Sequence, residues 1–288
     1  MADAKPTLMR RRLGLALRAL RQRSALSLQE AAERLGMSGP PVLSKIENGK
    51  MRVQPAALDG YFTTYGVADE RRKGEIRTLA RMASSSRSAN LFNQYRGAVR
   101  DPFADYLELE EVATHADWYA SQLVPGLLQT PDYALAVVEG SGKWHTAREV
   151  RTFVELRMQR QQVLRRERPL EMWCILDEAA LRRQMGGARV MAEQLRHLLE
   201  TAEEVAGVNV QVLPFSTGAH TGIDGAFTVF RFDAGDPLVV VESLTTSQYL
   251  EEDAHVGRYD VTFNHLRARA LDTVPSRDFI HKLIKEEA

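Results

Sequence analysis

The 288-residue chain has one cysteine, Cys174, so it can form no intrachain disulfide and no multi-cysteine metal site. It has no apolar run of the roughly 18 residues that a membrane-spanning helix needs. Its longest uncharged stretch, Val205 to Ile223, is interrupted by Asn, Gln, Pro, Ser, Thr, His and Gly. Arg10, Arg11 and Arg12 are not followed by an apolar core with a small-residue cleavage site. No signal peptide is therefore expected, and a cytoplasmic protein is. Net charge is lacking too, because 38 Lys and Arg balance 38 Asp and Glu. A hydrophobic fraction of 44% excludes wholesale disorder. At roughly 100–200 residues per domain, the length points to about two domains.

The zero charge conceals an asymmetry. Residues 1–83 carry 16 basic against 8 acidic side chains, and the remainder 22 against 30. A net +8 on one segment and −8 on the other suggest two jobs, with a polyanion as partner of the basic one. Arginine outnumbers lysine 31 to 7, so a single arginine says little and the local net charge is the better evidence.

Hydrophobic spacing over residues 8–83 predicts short helices. Leu13, Leu17 and Leu20 make a helical stripe. Ser27 and Glu30 form a capping box, and Leu28, Ala31, Ala32 and Leu35 form the face behind it. Gly36 stops that helix. Ser38 is expected to cap the next one, with Pro40 or Pro41 in its first turn and Leu43 and Ile46 facing inward. Helices near 55–66 and 69–83 follow. Ser84 to Asn90 is the only low-complexity stretch and suits a linker. Beyond it, helices are expected at 147–167, 188–205, 251–271 and 276–286, and strands at 170–176, 209–215, 226–232 and 238–244. Strands clustered late between helices suggest α+β rather than a regular βαβ winding.

Two short helices joined at Gly36-Met37-Ser38 are a helix-turn-helix candidate, whose second helix can lie in the DNA major groove. Its outward residues are Pro41, Val42 and Lys45, with Ser44 at the edge and Ser38 at the start. Lys45 can donate to guanine O6 or N7, and Val42 can pack on a thymine methyl. Lys50 and Arg52, just past the helix, suit phosphates, as does Gln29 near the start of the preceding helix. A helical pair used only for packing is the plainer reading of the same pattern.

These residues carry a resemblance. Leu17-Arg18-x-Leu20-Arg21, Leu26-Ser27-x-Gln29-Glu30-Ala31-Ala32, Leu35-Gly36-Met37-Ser38 and Leu43 to Gly49 resemble XRE-type, lambda repressor-like regulators over about residues 8–66. The resemblance implies an all-α, five-helix DNA-binding domain. It implies that Ser44 and Lys45 face DNA, and that Arg21 and Glu47 form a structural ion pair between the first and third helices. The chain departs from the family in Gly39-Pro40-Pro41, one residue longer than is common. That replacement implies fewer base contacts from the first turn. Val124 to Ala134, Asp177 to Gly187, and Val212-Leu213-Pro214-Phe215 with Gly225-x-Phe227 are similar to a C-terminal domain found after such modules. Regulators of that kind are described as antitoxin-like and pair with a small partner protein with an acidic surface.

The expected organisation is a helix-turn-helix domain over 8–83, a linker over 84–99 and a larger α+β domain over 100–286. Within the latter, Pro125, Gly126, Leu127, Leu128, Gln129 and Thr130 either line a partner or ligand site or make a turn, with Thr130 as helix cap. Asp177 and Glu178 follow a strand, but no Ser/His/Asp or Cys/His set accompanies them, and Asp177 serves equally as a cap. The histidines at 115, 145, 197, 220, 255, 265 and 281 show no close metal-ligand spacing. Cys174 reads as a buried, inert thiol. No catalysis, metal or cofactor is expected. The partners expected are double-stranded DNA, a second copy of the chain, and either a small protein or a small-molecule effector, with no membrane.

Overall fold

The structure is a computed structural model that describes residues 7–84, 95, 101–143, 146–233, 235–243 and 246–287. Most of the expected linker, together with Trp144 and His145, lies outside the described residues. The chain divides into two compact units.

The first unit holds α1 (Leu8–Arg23), α2 (Leu28–Arg34), α3 (Pro40–Glu47), α4 (Leu58–Thr64) and α5 (Glu70–Ser84). The leucine stripe of α1 is buried at Leu13, Leu17 and Leu20. It packs on α3 through Leu43 and Ile46 and on α5 through Ile76, Leu79 and Ala80. Gly14 sets the approach of α1 to α3, because a Cβ there would stand 2.5 Å from the Glu47 carbonyl oxygen. Ser27 caps α2 in the expected box: its Oγ accepts from Glu30 N at 3.2 Å, and Glu30 Oε2 accepts from Ser27 N at 2.9 Å. Gly36 ends α2 at φ +66°.

The cap of α3 differs from the expected one. Gly39, not Ser38, is its N-cap, at φ +149° in a region closed to side-chain-bearing residues, and no side chain caps the helix. Pro40 and Pro41 occupy the first two positions and remove two of the N–H groups a cap would satisfy.

The unit also takes in residues of α6 (Asp101–Val112), a helix not expected from the sequence, within the span expected for the larger α+β domain. The physical reason is at the start of α1, where N–H groups lack intrahelical acceptors. Asp105 accepts from Leu8 N at 3.0 Å and Glu108 from Met9 N at 3.1 Å. Asp105 also pairs with Arg11 at 2.9 Å. Two carboxyl groups thus cap the positive end of α1.

The second unit is a six-stranded mixed sheet in the order β3-β2-β1-β4-β5-β6. The strands are β1 (His115–Ala120), β2 (Glu171–Asp177), β3 (Val208–Leu213), β4 (Phe227–Arg231), β5 (Leu238–Glu242) and β6 (Ser247–Leu250). β1, β2 and β3 are parallel, and β4 to β6 form an antiparallel meander against β1. α7 (Pro131–Gly140) and α8 (Ala147–Arg160) join β1 to β2, and α9 (Glu178–Arg182) and α10 (Ala188–Glu204) join β2 to β3. α11 (Asp253–Arg269) and α12 (Thr273–Glu287) close the chain. The fold is α+β as expected, but half of the sheet is wound β-α-β. The sequence did not suggest that winding because it did not mark β1. The expected helix 147–167 is also shorter: α8 stops at Arg160 and Gln161–Leu164 is a 3₁₀ turn.

A buried cluster of Tyr119, Ile175, Leu213, Phe227, Val229, Val239 and Phe263 fills one face of the sheet. Cys174 is fully buried in β2, and burial pushes its thiol far up from its ordinary range. Among the described residues no helix is long and apolar enough to cross a membrane.

Candidate nucleic-acid interface

The outward face of α3 follows from which of its residues the core takes. Leu43, Ile46 and Glu47 are buried, while Pro41 and Lys45 are exposed and Val42 and Ser44 are partly so. Val42 and Lys45 lie at i and i+3, so they share the solvent face. Ser44 is held at the edge, where Asn48 Nδ2 donates to its carbonyl at 2.8 Å and its hydroxyl at 3.3 Å. Ser38 is exposed ahead of the helix. The first turn, made of Gly39, Pro40 and Pro41, presents no polar side chain. Lys45 is the first group on this face able to read a base edge by hydrogen bonding.

Lys50 and Arg52 are exposed in the turn after α3. That turn packs on the start of α1: a Cβ on Gly49 would stand 2.9 Å from Arg11 N. Arg10 is thereby brought beside Arg52. Burial first, and then the charge of Arg52, hold the Arg10 guanidinium below its ordinary range. Sequence reasoning missed Arg10, whose only signal was its place in an Arg-Arg-Arg run. Gln29 is exposed on α2, with its amide donating to Glu33.

Arg21 and Glu47 lock the helix that carries this face. Arg21 Nε donates to Glu47 Oε1 at 2.6 Å and Nη2 to Oε2 at 3.0 Å, a bidentate pair between α1 and α3. Arg21 Nη1 also donates to the Leu26 carbonyl at 2.8 Å. The two residues are only 8% and 4% exposed, so neither is positioned to touch DNA. Glu47 hydrogen bonding raises the Arg21 guanidinium. Burial, reinforced by the Glu47 charge, pushes the Tyr61 hydroxyl up to about 12.

In the second unit, Pro125 to Thr130 form the turn rather than an open site. Gly126–Leu128 is a 3₁₀ turn, and Leu127, Leu128, Gln129 and Thr130 are buried. Thr130 caps α7, accepting from Tyr133 N at 3.3 Å. The polar groups of the turn are bonded from within. Gln194 donates to the Leu128 carbonyl at 2.6 Å and accepts from Thr130 N at 2.8 Å. Gln129 donates to the Val124 carbonyl at 2.7 Å and accepts from Arg157 at 2.8 Å. Asp177 and Glu178 are likewise engaged: Asp177 accepts from Ala179 N at 2.8 Å, and Glu178 accepts from Arg182 at 2.5 Å and Phe215 N at 2.7 Å.

Two family models match the chain. One, described as a helix-turn-helix domain, matches residues 12–73. The other, described as a domain of unknown function (DUF5753), matches residues 103–282 and so begins within α6. No curated protein and no solved structure matches the chain.

Proposed function

Because the chain belongs to the DUF5753 family and carries a helix-turn-helix DNA-binding domain ahead of it, we propose that it is a sequence-specific transcription regulator of XRE type. The observation that supports this most is the outward face of α3. It presents Lys45 and Val42 from a helix fixed by a buried bidentate ion pair, with Lys50, Arg52 and Arg10 beside it. In this reading Lys45 and Val42 contact base edges, and Ser44, Lys50, Arg52 and Gln29 position the module on phosphates.

The regulator acts as a homodimer. One such module buries modest surface, and a two-fold operator with half-sites about 34 Å apart doubles the contacts. The negatively charged C-terminal domain carries dimerisation or holds a small partner protein, in the antitoxin-like manner. Exposed Phe215, Ile223, Val261 and Val274 support such a contact surface. The reading assigns no reaction to the chain, in keeping with the capping and ion-pair roles of Asp177 and Glu178.

The test is footprinting of the purified chain on its own promoter region with a salt titration of affinity. A two-fold footprint and a steep salt slope, near −0.9 per phosphate neutralised, are expected. Equal binding to promoter and random DNA, with no footprint, would overturn the reading.

A further inference from the structure

The C-terminal unit holds a cavity of about 410 Å³ at one end of its sheet. Its position is set by the winding. β1 ends at Ala120, and its Tyr119 pairs with Phe227, the first residue of β4. The cavity opens where β4 begins and β5 ends, beside α11. It therefore lies over the antiparallel strands β4 to β6, at the same end of the sheet as the carboxyl end of β1.

The wall is pre-formed. Gly222 is packed under Tyr119, since a Cβ there would stand 2.5 Å from the ring. Arg269 pins the same loop, donating to the Ala219 carbonyl at 2.6 Å and the Thr217 carbonyl at 2.7 Å. Thr221 donates to the Thr262 carbonyl at 3.3 Å, tying the loop to α11. Such preorganisation lowers the ordering cost of binding.

The lining combines an apolar body with two opposite charges. Phe227 and Tyr259 meet edge-on with ring centroids 4.9 Å apart, and Val241 and Leu250 extend that surface. Arg258 and Asp224 are exposed lining residues, and neither has an ion-pair partner among the described residues. His255 differs, facing Glu252 at 3.6 Å. An anion would be repelled by Asp224 and a cation by Arg258, whereas a zwitterion satisfies both. The volume is near the lower end of the roughly 300–1,000 Å³ range of small-molecule sites, which suits one monomer rather than a peptide.

We propose that this cavity binds a small zwitterion of the amino-acid class with an apolar or aromatic side chain, carboxylate towards Arg258 and ammonium towards Asp224. The inference rests on the regulator reading only for its consequence, which is that the ligand is an effector; binding itself is measured without DNA.

The experiment is saturation-transfer-difference NMR and calorimetry of the full chain with L-phenylalanine, L-tyrosine, L-tryptophan and L-leucine. The N-acetyl and carboxamide forms of each are measured alongside. At least one free amino acid binds, and masking either charge weakens it by about tenfold or more. Arg258→Gln and Asp224→Asn each weaken it similarly, and Thr262→Trp, which fills the cavity, abolishes it, with the circular dichroism spectrum unchanged in all three. Absence of binding by every probe at about 1 mM would overturn the proposal, as would equal binding of the masked forms or survival of binding in both charge variants. Amino-acid binding by a chain that binds no specific DNA would support the site and sink the regulator reading.

Discussion

Breaking the Arg21–Glu47 pair from one side should destabilise the N-terminal unit without touching the outward face of α3. In Glu47→Leu the Arg21 guanidinium keeps only its bond to the Leu26 carbonyl, and in Arg21→Met the Glu47 carboxylate loses both of its donors, 2.6 and 3.0 Å away. Both side chains are nearly fully buried, so water does not replace what is lost. Leaving one charge of a buried pair unpaired costs about 3–5 kcal/mol. At about 4–8 °C per kcal/mol for a domain of roughly 60–100 residues, the transition of the N-terminal unit should fall by at least about 12 °C. The double variant Arg21→Met with Glu47→Leu removes both charges and should recover most of that loss. Thermal and urea melts of the full chain, followed by circular dichroism, close the cycle. Single variants costing under about 1 kcal/mol, or a double variant costing the sum of the two, would refute the idea that the pair acts as a buried unit. The double variant should keep DNA affinity, since neither residue lies on the outward face.

Gly14→Ala should destabilise the same unit by more than about 1 kcal/mol in urea melts, because the new Cβ meets the Glu47 carbonyl at 2.5 Å, and backbone cannot yield as a side chain can. Burial raises Glu108 from an ordinary 4.5 to about 7, against the opposing hydrogen bond from Met9 N. The folded state therefore holds this proton where the unfolded chain releases it. Its contribution is fully present below about pH 4.5, falls by roughly 3 kcal/mol as pH rises to about 7, and is flat above. Glu108→Gln should flatten that segment of the stability-versus-pH curve, and an unchanged curve would mean that Glu108 does not set it. Lys50→Ala and Arg52→Ala should each lower the magnitude of the salt slope of DNA binding by about 0.9 per subunit, about 1.8 for the dimer, without altering sequence preference. A slope equal to the wild type's in both would mean that they do not touch phosphate.

Local rules made much of the N-terminal unit legible. The Ser27–Glu30 box, the Gly36 stop and the leucine stripe act within one or two helical turns, and the structure places each where its spacing put it. The start of α3 departs from its sequence pattern because two prolines remove the N–H groups that make Ser38 useful as a cap. What the sequence could not display was long-range. Asp105 and Glu108 cap α1 from 97 and 99 residues away, so nothing near them marks α6 as part of the N-terminal unit. β1, His-Ala-Asp-Trp-Tyr-Ala, contains no β-branched residue and places Asp117 inside the sheet, where Arg231 pairs with it at 2.8 Å. Without β1 the parallel winding was invisible.

In the proposed function α3 reads DNA through Lys45. Selection of binding sites from a random DNA pool by the full chain, in parallel for wild type and Lys45→Ala, tests it most directly. The wild type should select a two-fold site, and the variant should keep the site but lose roughly 1–3 kcal/mol of discrimination at one base pair per half-site. A variant with the wild-type preference at every base pair, or a wild type that selects no site, would contradict it.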